Sequence, residues 1–65
     1  MFQLTINMDN AAFDGDNQVK EVARILREVV SRLEGGEDFS FYKTLFDCNG
    51  NDVGRARLRR KEEER

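Results

Sequence analysis

The stretch FSFYKTLFDCNGNDVGRARLR, residues 39–59, decides the fold. Its centre, Asn49-Gly50, lies between two runs that alternate in polarity. Asn-Gly is the strongest short hairpin signal, because a two-residue type I′ turn needs positive φ at both central positions. Residues 39–47 and 52–59 are therefore expected to be antiparallel partners. The two-residue turn sets Phe46 opposite Val53, Tyr42 opposite Arg57 and Phe41 opposite Leu58. One hairpin face then carries Phe39, Phe41, Leu45, Ala56 and Leu58, with Lys43 among them, and is assigned to the core. The other carries Tyr42, Thr44, Phe46, Val53, Arg55 and Arg57. A slip of one residue would exchange the two sets.

Upstream, Phe2, Leu4, Ile6 and Met8 alternate with Gln3, Thr5 and Asn7, the period of a strand with one buried face. Residues 10–15 turn the chain, with Phe13 expected in the core at the helix start. Asp16 is the expected N-cap, its carboxylate accepting an amide of the first turn. The helix is expected over residues 17–34. Val19, Val22, Ala23, Leu26, Val29, Val30 and Leu33 form its apolar stripe, with Ile25 at the edge. Arg24 with Glu28, and Glu28 with Arg32, are i,i+4 ion pairs on the polar face. Gly35 and Gly36 end the helix, one of them left-handed.

These elements predict an α+β fold, a two-layer βαββ domain over residues 1–58. One helix covers one face of a three-stranded antiparallel sheet whose third strand is central. A parallel contact between the first two strands, through a right-handed crossover, is the alternative. The tail RRKEEER, residues 59–65, lacks an apolar anchor and is expected to be flexible.

Sixty-five residues bury only about 60% of the surface that the unfolded chain exposes. A core this thin leaves no room for an enclosed substrate cavity, so function belongs on a surface. The chain contains no histidine, the commonest general base. Cys48, the single cysteine, has no histidine partner and cannot form an internal disulfide. No enzymatic activity is expected, and no cofactor. The run Asp47-Cys48-Asn49-Gly50-Asn51-Asp52 resembles a calcium loop only in its oxygen donors. Position twelve, where such a loop needs glutamate, is Leu58, and the flanks are strands, so no metal is expected. The lone cysteine suits a reducing compartment and no apolar run reaches the length of a membrane span, so a cytoplasmic location is expected.

Three surfaces remain. The topology gathers Asp9, Asp14, Asp16, Asp47 and Asp52 at the end holding the helix start and the hairpin turn, and those turns carry no lysine or arginine. At the other end Arg59, Arg60 and Lys61 offset Glu34, Glu37 and Asp38. An unbalanced acidic end can steer encounter with a basic surface. Tyr42, Phe46 and Val53 form an apolar patch on the open sheet face, suited to a partner or to a second copy of the chain. With Arg55 and Arg57, the same face could stack bases. The net charge of −2 makes nucleic acid the less favoured partner.

The segments NAAFDGD (residues 10–16), EVARILREVVSRLEGG (21–36) and FDCNGNDVGRARL (46–58) together resemble small proteins carried by bacteriophages and prophages. That resemblance implies kinship of fold. It also implies a non-enzymatic inhibitor of a host defence complex, of the anti-CRISPR kind, acting in the bacterial cytoplasm. Its partner would be a basic host surface such as a Cas effector, met by an acidic end that mimics nucleic acid. The alternatives are a small nucleic-acid binder using the open sheet face and a structural homodimer.

Overall fold

The computed structural model describes residues 1–60. The elements follow in the order β1 (Phe2–Ile6), a 3-10 turn (Ala11–Phe13), α1 (Asn17–Glu34), β2 (Lys43–Phe46) and β3 (Asp52–Leu58). The sheet has the order β1-β3-β2, and both pairings are antiparallel. The fold is thus the expected α+β arrangement with the last strand in the centre. β1 is shorter than its alternation suggests and ends at Ile6.

The hairpin reaches its register by a different route. Among the described residues none other than glycine has positive φ, so Asn49 does not enter a type I′ turn. Within this turn Gly50 alone is left-handed, with φ of 83°. The Gly50 amide donates to the Asp47 carbonyl, and the Asp47 amide to the Asn51 carbonyl. This is a three-residue loop, Cys48-Asn49-Gly50, of the kind that closes with glycine after a type I turn. Such a loop displaces the pairing by one residue, so that Phe46 faces Asp52 instead of Val53. A bulge then restores the expected register, with Leu45 against Gly54 and Lys43 against Ala56. Val53 is the extra residue of that bulge and turns into the core.

The other departure lies at residues 39–42. The Leu58 amide donates to the Phe39 carbonyl, while Ser40, Phe41 and Tyr42 loop outward before β2 begins. Asp38 starts this loop by accepting the Ser40 amide on its side chain. Phe39 is buried as expected, but Phe41 is 77% exposed and does not join the core.

The helix runs over Asn17–Glu34 as its pattern predicts. Asp16 does not cap it: the residue is itself helical and its side chain makes no capping bond. The side-chain cap in this segment belongs to the 3-10 turn, where Asn10 accepts the Ala12 amide, and the α1 start is met by backbone bonds from the Asn17 and Gln18 amides to the Asp14 and Gly15 carbonyls. At the other end Gly36 is left-handed, the Glu37 amide donates to the Arg32 carbonyl and the Gly36 amide to Leu33. These two bonds form a Schellman cap.

The core holds Phe13, Ile25, Val29, Phe39, Leu45, Val53 and Ala56, flanked by Leu4, Ile6, Val22, Leu33 and Leu58. Ile25, expected at the stripe's edge, is its centre at 2% exposure. The helix is rolled toward β2. One flank is held there by Arg24, which donates to the Phe46 carbonyl, and by Glu21, which accepts the Cys48 amide. The roll leaves Val19, Leu26 and Val30, at 74%, 42% and 52%, on the exposed opposite flank.

Candidate functional site

Asn10 links the first turn to the hairpin. Its side-chain amide donates to Asp47 at 2.8 Å. Asp47 also accepts from the amides of Asn49 and Asn51 and from the Asn51 side chain. Its carboxylate therefore fills its acceptor sites inside the loop, and the residue is only 4% exposed. Burial pushes this carboxyl up; the bonds from Asn51, Asn49 and Asn10 outweigh it and hold the group below its usual range. Asp47 organises the turn and presents no charge for a partner to touch.

Asp52 is exposed but paired with Arg55. Asp9, Asp14 and Asp16 are exposed, and no ion pair among the described residues involves them. The five aspartates do lie at the helix-start and hairpin-turn end, as the strand directions require. They divide into an exposed trio, one member of an ion pair and one internal organiser.

Two helix residues at this end do more than the expected pairing of Arg24 with Glu28. Glu21 is buried and accepts two bonds from Arg24, both at 2.9 Å, and one from the Cys48 amide at 2.7 Å. The Arg24 guanidinium holds the Glu21 carboxyl below the usual range against the opposing effect of burial, and the Cys48 amide adds to this. Arg24 also reaches Glu28 at 3.0 Å, which leaves its charge doubly compensated. An open groove lies between the two turns, lined by Ala11, Asn17, Lys20, Arg24, Cys48 and Asn49. The Cys48 thiol is exposed there. The i,i+3 spacing of Glu21 and Arg24 is visible in the sequence. Nothing in that spacing says that the pair clamps a loop on another element.

The open sheet face differs from its expected composition. Val53 leaves the patch for the core, and Phe41 joins the exposed aromatics. Tyr42 lies under the Arg57 guanidinium, 5.2 Å from ring centroid to Cζ. Arg57 also donates to the Ser40 carbonyl. Phe46 follows Leu45 and is turned off the core, half exposed at the β2 edge. A shallow groove crosses from Tyr42 to Phe2, Gln3, Leu4 and Thr5. Both arginines of this face are engaged, Arg55 by Asp52 and Arg57 by Tyr42 and Ser40.

Arg59 exchanges backbone bonds with Met1, which ties the start of the expected tail to β1. Lys61 and the acidic run 62–64 lie outside the described residues. Among the described residues no three histidine, cysteine, aspartate or glutamate side chains are grouped to hold a metal. None of their helices is long and apolar enough to cross a membrane. Comparison with family models, curated proteins and solved structures found no match.

Proposed function

We propose that this chain is a non-enzymatic binding protein whose acidic end docks on a basic surface of a partner. The observation that carries the reading is the exposure of Asp9, Asp14 and Asp16 at one end of the molecule, with no ion-pair partner among the described residues. Arg24 and Arg55 at that end are already compensated, which leaves Lys20 as the opposing charge. An unbalanced field of this kind speeds encounter with a cationic surface and orients it. Tyr42 and Phe46, half exposed on the adjoining face, supply an apolar contact once the surfaces meet. On the resemblance to phage-borne proteins, the partner is a host defence complex with a nucleic-acid-binding surface, and the role is that of an anti-CRISPR inhibitor.

The test is a pull-down from bacterial lysate containing CRISPR–Cas complexes, read by mass spectrometry. The unaltered chain should retain a Cas protein. The triple reversal Asp9→Lys, Asp14→Lys, Asp16→Lys should lose it with the circular dichroism spectrum unchanged. Retention by the triple variant would overturn the acidic-end reading. Asp47 is unsuitable for this test, because altering it disturbs the turn itself.

A second reading has its own support. Tyr42 and Arg57 stack on the open face, the pairing that single-stranded nucleic acids use for their bases. It requires a mobility shift with DNA or RNA at low salt, lost on Arg57→Ala.

A further inference from the structure

β1 and β2 are both edge strands, and they are protected to different degrees. β2 is four residues long, carries Lys43, and has its Phe46 carbonyl occupied by Arg24. Short length, a lysine and a capping group are the usual defences of an edge. β1 has none of them. Its residues Phe2, Gln3, Leu4, Thr5 and Ile6 include no charge and no proline.

The register says which backbone groups are open. Met1 and Arg59 exchange both bonds, and Asn7 donates to the Val53 carbonyl. Odd-numbered residues of β1 therefore face β3, and Phe2, Leu4 and Ile6 turn their N–H and C=O groups outward. Among the described residues nothing bonds those groups. The helix flank on the same side is also bare. Glu21, Arg24, Glu28 and Arg32 lie toward β2, so Val19, Leu26 and Val30 lie over the β1 side.

We propose that β1 pairs antiparallel with β1 of a second copy about a two-fold axis through Leu4, giving a continuous six-stranded sheet with both helices on one face. The strand is self-complementary in this register. Leu4 faces Leu4, Phe2 faces Ile6, and on the open face Gln3 faces Thr5, with no like charges opposed. Because the strands run oppositely, the Asp9 corner of each copy comes beside the corner of the other where Arg59 pairs with Met1, acid against base. The axis also brings the two Val19–Leu26–Val30 flanks toward each other, which covers apolar surface that the monomer leaves wet. Asp9 is shared with the proposed acidic docking end, while Asp14, Asp16 and Phe46 lie outside this interface; the pairing follows from the β1 edge and adds to the proposed function without resting on it.

The register makes the test specific. Gln3 and Thr5 of different copies form a non-hydrogen-bonded pair with Cα atoms about 4.5 Å apart, within the range a disulfide spans. Gln3 and Gln3 would be about 8 Å apart, beyond that range. Gln3→Cys and Thr5→Cys are made separately in full-length chains, each with Cys48→Ser. Mixed and oxidised, they should give a covalent dimer of twice the 7.6 kDa chain, and neither alone should. Sedimentation of the unaltered protein at micromolar concentration should show a dimer. Leu26→Lys with Val30→Lys, both at exposed positions, should shift it to monomer with the helix content kept. Phe46→Asp should leave the cross-link intact. A monomer at all concentrations, no cross-link in the mixture, or equal cross-linking of a single variant with itself would overturn the proposal.

Discussion

Gly54 and Glu21 show how much of this small domain rests on single atoms. A Cβ on Gly54 would sit 1.9 Å from the Thr5 carbonyl oxygen and 3.1 Å from the Ile6 Cα. Both obstacles are backbone of the neighbouring strand, so no rotamer can relieve the clash. Gly54→Ala should cost about 3 kcal/mol or more, since a strand pairing must open to admit it, and urea unfolding should show the variant largely unfolded. A well-folded Gly54→Ala would mean that β1 and β3 are less closely apposed. Glu21 makes a different prediction. Its carboxyl is held below 4.5 by Arg24, so the stability it contributes is fully present above that pH. That stability is lost as pH falls through the depressed value. Glu21→Gln should destabilise the fold by about 2 kcal/mol at pH 7, and the gap should narrow at pH 3. Urea midpoints of both proteins at the two pH values decide it; an unchanged gap would show that charge is not what Glu21 supplies.

At the level of elements, the helix carries a broader apolar stripe than the core uses. Ile25 is central, whereas Val30 lies about 140° around the helix from it. Ile25→Ala should therefore cost about 2–5 kcal/mol by leaving a cavity, and Val30→Ala should cost under about 0.5 kcal/mol. Thermal or urea unfolding of the two variants measures the difference. Equal losses would place the core face nearer the middle of the stripe. Periodicity alone puts the centre between these residues and cannot choose. The roll is set by Arg24 and Glu21 bonding to the Phe46 carbonyl and the Cys48 amide, long-range contacts that no local pattern contains. The hairpin teaches the same lesson. Asn49-Gly50 does mark a tight turn, but which turn depends on Asp47, whose carboxylate binds the amides of Asn49 and Asn51. The aspartate selects a three-residue loop, and the bulge at Val53 compensates for it. The register between Lys43 and Leu45 was legible because two departures cancel, while the face of Val53 was not. Phe41 was misplaced because the alternation of residues 39–46 hides the turn begun by Asp38.

For the whole molecule, the order of strands and the gathering of the five aspartates at one end were legible, since both follow from connection lengths and from where turn residues fall. The availability of each charge was not. Asp47 and Asp9 look alike in a sequence, yet one is sealed in a loop and the other is exposed. Which of five aspartates can meet a partner depends on where Asn10, Asn51 and Arg55 reach.

The central strand is also the last to be made. Among the described residues β1 and β2 have no partner except β3, and Phe2 must wait for Leu58. The helix and, late, the hairpin form from neighbouring residues; the β1–β3 ladder closes the long loop between Phe2 and Leu58. At roughly 5–20 residues per second, the nascent chain spends several seconds with its uncharged first strand unpaired. In that interval a neighbouring nascent copy offers β1 a competing partner, so crowding on one messenger sets a race between assembly and completion of the monomer.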